Sequence, residues 1–295
     1  MNTPEIKFWN REQGRLETEQ VYGDQIVRWL YETSYGQKIA ERFLTRKIIS
    51  KAYGFYQDSR LSQKAIAPFI QNFKIKMSEY ENEHFKTFND FFIRRFKPNV
   101  RPFAKSSSMP AFAEARYLAF EKIIADQKYP VKGDHLSAQA LLDSEKLAEP
   151  FIGGPLLIAR LCPVDYHRFH YPDDGTTNKT YRIEGTLHSV NPLALKYKSD
   201  IFCTNERHIS ILETTNFGKL AYIEVGAMAV GKIIQTHPSD QPYKRGDEKG
   251  YFLFGASTVI LMGEPGRWKP DGDIIEQSKQ NRESFIKLGS QIGSN

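Results

Sequence analysis

The stretch 250–262 constrains the fold more than any other part of the chain. Its two apolar runs, 251–254 and 259–262, are rich in aromatic and branched side chains, which favour β-strands. Between them stands Gly-Ala-Ser-Thr at 255–258, a connection with little side-chain bulk. The sequence therefore predicts two strands joined by a sharp, uncrowded piece of backbone that carries hydroxyl groups.

Two outcomes are compatible with that connection. In the first, a strand bends at the glycine, and Ser257 and Thr258 point into solvent. In the second, the hydroxyl group of Ser257 attacks the carbonyl group of Ala256, and the chain cuts itself between these two residues. This stretch alone leaves both outcomes open, so the rest of the sequence has to decide between them.

The composition is typical of a folded protein with a substantial core. Of the 295 residues, 40% are hydrophobic and 26% are charged, and no apolar run reaches the roughly 18–20 residues that span a bilayer. The chain starts without the apolar segment of a signal peptide, and Cys162 and Cys203 form no CxxC pattern, so we expect a reducing compartment. The formal charge of +6 is weak evidence for an anionic partner. The sequence has no Gly-rich phosphate cradle and no Rossmann fingerprint, so we expect no nucleotide cofactor. We also expect no nucleic-acid partner.

Residues 22–100 carry the periodicity of amphipathic helices. Asp24 can cap one helix, and Thr87 can cap another, whose apolar positions continue to Phe96 before Pro98 ends it. We therefore expect the first third of the chain to be mainly helical.

The candidate helix 37–51 has an apolar stripe and, on another face, a basic stripe of Lys38, Arg42 and Arg46. One interpretation is a helix packed on the core with a solvated face. The other is an interfacial helix that lies on anionic lipid. The sequence leaves both interpretations open.

After residue 101 the segments become short and β-rich, and Gly, Pro, Asn and Asp separate them. The sequence thus predicts an α+β fold with a helical region at 1–100, which would be membrane-associating if the candidate helix 37–51 is interfacial. An antiparallel, sandwich- or barrel-like β-rich domain at 101–295 would follow it, and it would be catalytic if the hydroxyl groups at 255–258 react. A short helix is expected near 281–288. The predicted strands are 116–120, 156–161, 179–183, 209–213, 220–225 and 229–234.

The segment 162–175 is dense in polar residues and contains two histidines, His167 and His170, near Asp165. It can be a polar loop or, because His-x-x-His chelates metals, half of a metal site. No further ligand pattern of familiar spacing stands nearby, so we predict no metal. Histidine beside a carboxylate also suits general acid–base chemistry, because its pKa lies near neutrality.

Several motifs, in order along the chain, resemble those of the phosphatidylserine decarboxylases, a family of self-cleaving proenzymes. The resemblance runs from about residue 5 to residue 270, and it rests on the order of the motifs more than on any one of them. The motifs are FNDFFIR at 88–94, DYHRFH at 165–170 with PDDG at 172–175, GTLHSVN at 185–191, NER at 205–207, VGAMAVG at 225–231 and GYFLFGASTV at 250–259.

The resemblance implies cleavage between Ala256 and Ser257, giving a β chain, 1–256, and an α chain, 257–295, that remain associated. Ser257 would become a covalent pyruvoyl group, the cofactor, whose carbonyl condenses with the substrate's amine and accepts electrons as carbon dioxide leaves. By motif position, His170 would be the base for Ser257. His167 would deliver a proton during decarboxylation.

Two positions depart from the family pattern. The aspartate that orients the histidine normally follows a proline, whereas this chain has FAEAR at 112–116, which places Glu114 there. Ala256 stands where the family usually has glycine, and its Cβ restricts the backbone. Both changes fall on the self-processing machinery, so slow maturation is an expected consequence.

The resemblance implies an enzyme that converts phosphatidylserine to phosphatidylethanolamine and carbon dioxide at a membrane surface. It further implies a homodimer, bound peripherally to the cytoplasmic side of a membrane. Two other interpretations remain at this point. One is a pyruvoyl-dependent decarboxylase of a soluble amino acid, and the other is an uncleaved, non-enzymatic homologue that binds lipid.

Overall fold

A nine-stranded β-sheet forms the centre of the protein, and two three-stranded sheets accompany it. The computed structural model describes residues 5–20, 24–39, 54–81, 84–123, 136–198, 200–227, 232–255 and 257–295. The strands are β1 (Lys7–Asn10), β2 (Arg15–Thr18), β3 (Ser108–Pro110), β4 (Ala115–Phe120), β5 (Leu156–Leu161), β6 (Arg168–His170), β7 (Gly175–Ile183), β8 (Arg207–Thr214), β9 (Gly218–Val225), β10 (Ile233–Gln235), β11 (Glu248–Phe252), β12 (Ser257–Gly263), β13 (Lys269–Pro270), β14 (Ser284–Ile286) and β15 (Gln291–Ser294).

The large sheet has the order β2-β1-β14-β4-β5-β12-β9-β8-β7, and its neighbours are antiparallel except for β1 and β14. β12 lies between β5 and β9, and all of its residues are buried. A strand covered on both faces is apolar along its whole length, which explains the run at 259–262. Within the described residues the sheet ends at β2 and β7, so it is open and not a closed barrel.

The helices are short, and among the described residues none is long and apolar enough to cross a membrane. Short 3₁₀ turns stand at Arg60–Ala65, Met77–Glu79 and Glu149–Phe151. The α-helices are α1 (Asp24–Glu32), α2 (Ser34–Ile39), α3 (Ile66–Phe73), α4 (Phe88–Phe92), α5 (Ala138–Leu142), α6 (Glu145–Ala148), α7 (Pro192–Tyr197), α8 (Ile201–Thr204) and α9 (Gly272–Lys279).

Most buried side chains belong to one large core around the nine-stranded sheet. A second group, here called the aromatic cluster, joins α3 and α4 to the backbone just before β12. It consists of Ile66, Phe69, Phe85, Phe88, Phe91, Phe92 and Phe254. The helical part of the chain therefore packs directly against the segment that leads to Ser257.

A small sheet, β10-β11-β6, brings the two chemically informative stretches together. In the pairing of β6 with β11, Phe169 lies opposite Gly250, and His170 lies opposite Glu248. The backbone N–H of Phe252 also donates to the carbonyl oxygen of His167, at 3.0 Å. The histidine segment and the approach to Ser257 are thus hydrogen-bonded neighbours.

The α+β class and the antiparallel core are confirmed, but several local expectations change. The predicted strand 229–234 begins outside the described residues, which resume at 232. A helix near 281–288 is wrong, because those residues include β14, which pairs with both β1 and β4. Strands β1 and β2 stand within the region expected to be helical. Most of the candidate helix 37–51 lies outside the described residues.

Thr87 caps α4 as predicted. Its hydroxyl accepts from the backbone of Asp90, whose carboxylate accepts in return from the backbone of Thr87. The helix nevertheless ends at Phe92 and does not continue to Phe96. The ring of Phe96 instead stacks on Tyr80 at 4.8 Å, and the two backbones form an isolated β-bridge. Tertiary contact has overridden the helical periodicity there.

Candidate active site

Ser257 is the first residue of β12 and is fully buried. Its neighbour Thr258 is also buried, which contradicts the interpretation that both hydroxyl groups point into solvent. Gly255, two residues earlier, has a φ of 142°, a backbone conformation that favours glycine. Ala256 lies outside the described residues. A buried hydroxyl group therefore follows a turn that depends on glycine.

His167 lies beside this hydroxyl group. The Nδ1 atom of His167 is 3.4 Å from the Oγ atom of Ser257. On the other side of the ring, Nε2 is 2.8 Å from the carbonyl oxygen of Cys162. A carbonyl oxygen only accepts hydrogen bonds, so Nε2 carries the proton in the neutral ring and Nδ1 presents a lone pair to the serine. The arrangement can accept the serine's proton.

The environment of His167 keeps its imidazole neutral. The side chain is fully buried, and the ring of Phe92 stacks on it with 3.8 Å between centroids and 25° between planes. Burial lowers the pKa of His167 from 6.5 to about 3, although the hydrogen bond to Cys162 acts in the opposite direction. The lone pair at Nδ1 is therefore present throughout the neutral and mildly acidic range.

His170 is engaged elsewhere. Its Nδ1 atom is 2.9 Å from the carbonyl oxygen of Gly246, and its Nε2 atom is 3.2 Å from the hydroxyl group of Tyr166. Burial lowers its pKa as well. Among the described residues, no hydrogen bond joins His170 to Ser257. Of the two histidines predicted at the site, the structure brings His167 to the serine.

Asp165 holds the turn that carries His167. Its carboxylate accepts from the guanidinium of Arg116 at 2.5 Å and from the backbone N–H of Cys162 at 2.7 Å. Burial raises the pKa of Asp165 to about 6, while the positive charge of Arg116 opposes this change. Because Cys162 supplies the carbonyl group that fixes the tautomer of His167, Asp165 contributes to that orientation indirectly.

A buried charge network extends from this turn to the start of the chain. Glu19 pairs with Arg116 at 2.9 Å and with Arg160 at 2.7 Å. Arg160 also pairs with Glu283. The sequence analysis did not single out Arg116 and Arg160 as charged residues of the core. The only available signal was an arginine inside each of the apolar segments 116–120 and 156–161.

Glu114, the predicted orienting acid, contacts neither histidine among the described hydrogen bonds. Its carboxylate accepts two hydrogen bonds from Arg101, at 2.5 and 3.0 Å, and one from the backbone N–H of Leu288 at 3.3 Å. Arg101 also pairs with Glu79 at 2.7 Å. The orienting role of Glu114 stays a prediction.

Comparison with known proteins decides the family. The family model for phosphatidylserine decarboxylase matches residues 88–294. A protein of Clostridium botulinum (strain Langeland) named phosphatidylserine decarboxylase proenzyme is 42% identical over 292 residues, which is 98% of this chain and 99% of that protein. The chain belongs to the phosphatidylserine decarboxylase family. Proteins of the same name from Clostridium perfringens (strain ATCC 13124) and Clostridium kluyveri are 42% and 41% identical, each over 98% of this chain and 99% and 98% of their own length.

The similarity to these relatives extends beyond the residues that the family model matches. The relatives match nearly the whole chain, including the helices before residue 88, where the family model begins. Phe92, which the sequence did not single out, belongs to the FNDFFIR motif and lies against His167. The motif at 88–94 is therefore part of the candidate active site.

Proposed function

We propose that this protein is a self-processing decarboxylase that converts phosphatidylserine to phosphatidylethanolamine and carbon dioxide. One observation carries the proposal: in a chain of this family, a buried serine hydroxyl group lies 3.4 Å from an unprotonated imidazole nitrogen. No observation favours a soluble amino-acid substrate or a non-enzymatic role.

In the proposed self-cleavage, the Oγ atom of Ser257 attacks the carbonyl carbon of Ala256 while Nδ1 of His167 takes the hydroxyl proton. The amide bond between these residues breaks as an ester bond forms, and the proton passes to the released nitrogen. Elimination across Cα and Cβ of Ser257 then releases the acid end of chain 1–256. Hydrolysis of the remaining dehydroalanine gives ammonia and a pyruvoyl group at the start of chain 257–295.

We assign the base to His167 because it contacts Ser257, whereas motif position alone assigns it to His170. Both ring nitrogens of His170 already have partners, so it would have to break a hydrogen bond to act. A pKa of about 3 makes His167 a weak base. The short distance compensates, because proton transfer within a preorganised pair needs no diffusion.

The residues around position 257 suit a pyruvoyl group. The site is shielded from bulk solvent, because Ser257 and His167 are fully buried and the aromatic cluster lies against the approach to the serine. When formed, such a group supplies the electron sink for loss of carbon dioxide. His167 would remain the nearest group able to hold or move a proton at that position.

The sheet explains how the two chains would stay together after cleavage. β12 and β14 belong to chain 257–295, and β12 is hydrogen-bonded to β5 and β9 of the other chain. β14 pairs in the same way with β1 and β4. β15 of chain 257–295 also pairs with β3. Cleavage before β12 therefore breaks one covalent bond and leaves five strand pairings between the two chains.

We further propose that the enzyme binds a membrane surface peripherally through residues 55–64. Phe55 is 80% exposed and Leu61 is 68% exposed, which is unusual for large apolar side chains. Arg60 and Lys64 stand in the same short segment and can contact anionic head groups. The cytoplasmic side and the homodimer remain predictions from the family resemblance.

Intact mass spectrometry of the purified protein tests the proposal. Two species are expected in place of the uncut chain. One is chain 1–256, and the other is chain 257–295 with a pyruvoyl group in place of Ser257. Carbon dioxide release should then be measured with phosphatidylserine vesicles and with free serine. An uncut, inactive chain would overturn the proposal. Release of carbon dioxide from free serine but not from phosphatidylserine vesicles would overturn the assignment of phosphatidylserine as the substrate.

A further inference from the structure

Asn89 connects helix α4 to the backbone that leads into the cleavage site. It is 3% exposed, and its side-chain oxygen accepts the backbone N–H of Phe254 at 2.9 Å. Its side-chain nitrogen donates to the carboxylate of Asp58 at 2.7 Å. The backbone N–H of Phe254 can only donate, and the carboxylate of Asp58 can only accept. These two partners therefore fix the orientation of the Asn89 side-chain amide.

The same helix also contacts the other half of the reacting pair. Phe92, three residues after Asn89, stacks on the ring of His167 at 3.8 Å. The rings of Phe88 and Phe92 meet the ring of Phe254 at 5.2 and 4.9 Å. One helix therefore contacts both the imidazole and the backbone three residues before the serine.

The backbone is held differently at Ser257 and at Phe254, the residues on either side of the proposed cleavage site. At Ser257 the chain joins β12, where the backbone ladder to Leu161 fixes it. At Phe254 the chain has left β11, which ends at Phe252, and the N–H of Phe254 bonds to a side chain. Gly255 follows at once with its φ of 142°. On this side of the cleavage site, the backbone at Phe254 is thus held by a side-chain contact instead of a strand ladder.

We propose that Asn89 is a positioning residue for self-cleavage and that Asp58 orients its amide. The inference rests on the proposed function, and it deepens that function by assigning control of the turn to the helical part of the chain. Loss of the contact removes the side-chain acceptor of the Phe254 N–H and weakens the hold on the backbone before the serine. A misplacement of about 1 Å can cost on the order of 100-fold in rate, so a loss of at least about tenfold is expected.

The test compares Asn89→Leu with Thr87→Ala in the full-length precursor. Asn89→Leu removes the anchor while keeping the volume, whereas Thr87→Ala removes the cap of the same helix and leaves the anchor. The precursor fraction is followed against time after synthesis, together with the melting temperature of each chain. Asn89→Leu should slow cleavage at least about tenfold, and Thr87→Ala should melt earlier but cleave within about twofold of the parent rate.

A swap of the pair identifies the hydrogen bonds as the cause. Asn89→Asp alone places a second carboxylate next to that of Asp58, and the repulsion between them should slow cleavage. Adding Asp58→Asn restores one donor and one acceptor and should recover most of the rate. Failure of this rescue, or equal slowing by Thr87→Ala, would overturn the positioning role in favour of helix stability.

A second measurement keeps the inference testable if the parent does not cleave. In the Ser257→Ala background, hydrogen exchange of the Phe254 amide should accelerate at least about tenfold on Asn89→Leu and hardly change on Thr87→Ala. Unchanged exchange at Phe254 would overturn the anchor itself. An uncut parent with accelerated exchange would instead overturn the proposed function while the anchor stands.

Discussion

The Nδ1 atom of His167 and the Oγ atom of Ser257 lie 3.4 Å apart, although 90 positions separate these residues in the chain. The strand pairings that bring them together belong to two different sheets: β12 is central in the large sheet, and β6 pairs with β11 in a small one. The contact between His167 and Ser257 therefore needs both sheets in place, and the proposed self-cleavage would then be coupled to folding of both sheets.

Ser257→Ala should remain a folded, full-length chain without activity, because the attacking hydroxyl group is gone. The matched control is Thr258→Val, which replaces the neighbouring buried hydroxyl group with a methyl group of similar shape. Among the described residues the hydroxyl oxygen of Thr258 has no hydrogen-bond partner, so its loss should cost little. A denaturing gel reads the result, and two chains from Ser257→Ala would exclude this serine as the nucleophile.

His167→Gln should accumulate precursor, with a loss in cleavage rate of about 10²–10⁴-fold, the usual contribution of a general base. Glutamine keeps a donor for the carbonyl group of Cys162 but cannot take the serine's proton. His170→Gln should mature at close to the parent rate, because His170 bonds to Gly246 and Tyr166. The opposite pattern, with uncut His170→Gln beside cleaved His167→Gln, would return the base to His170.

The low pKa of His167 makes a prediction about stability. Between pH 6.5 and about 3 the unfolded chain binds a proton at this residue and the folded chain does not. The free energy of unfolding therefore decreases as the pH is lowered through this window. This group contributes a decrease of up to about 1.4 kcal/mol per pH unit. Asp165 acts in the opposite direction, because its folded pKa of about 6 lies above its ordinary 3.8, so it contributes stability that is lost as pH rises through 6.

Urea unfolding in the Ser257→Ala background separates these contributions. Adding His167→Gln removes only the contribution of His167. As the pH is lowered from about 6.5 to 4, the free energy of unfolding should therefore decrease less steeply than in the parent background. Equal slopes in the two chains would show that His167 titrates normally when folded.

Glu114→Gln distinguishes a structural from an orienting role. Because Glu114 pairs with Arg101 and bonds to the backbone of Leu288, we expect a loss of about 1–3 kcal/mol in the free energy of unfolding and an unchanged cleavage rate of the folded chain. Glu79→Gln, which removes the other partner of Arg101, is the control. Cleavage slowed at least about tenfold at unchanged stability would support Glu114 as the orienting acid.

The sequence predicted the element types best where local pattern and tertiary pairing agree. The run 156–161 coincides with β5, and Thr87 caps α4 through a pattern that spans four residues. Prediction failed where distant pairing decides, as at β14, whose partners β1 and β4 lie more than 150 positions earlier in the chain. The contacts of His167 and His170 could not be read from the sequence either, because Ser257 lies 90 positions from His167 and Gly246 lies 76 positions from His170.

Phe55 and Leu61 should anchor the protein to vesicles. Burial of one such side chain contributes about 1.5–3 kcal/mol, so Phe55→Ser or Leu61→Ser should weaken binding by at least about tenfold. Ile152→Ser, at an apolar residue that is 47% exposed in another part of the chain, is the control and should bind normally. The basic stripe of Lys38, Arg42 and Arg46 would add an electrostatic attraction to anionic lipid. Lys38 is exposed, while Arg42 and Arg46 lie outside the described residues.

Salt separates the two contributions to membrane binding. Attraction between basic side chains and anionic lipid is screened beyond about 8–10 Å at physiological ionic strength, whereas insertion of apolar side chains persists. Charge reversal at Lys38, Arg42 and Arg46 should therefore abolish the salt-sensitive part of vesicle sedimentation, and Phe55→Ser should abolish the salt-resistant part. Self-cleavage should proceed in all of these variants, because none of the substituted side chains contacts the aromatic cluster or His167 among the described contacts. Sedimentation of Phe55→Ser and Leu61→Ser at the parent level would show that this surface does not meet the bilayer, and peripheral binding would then need another face of the protein.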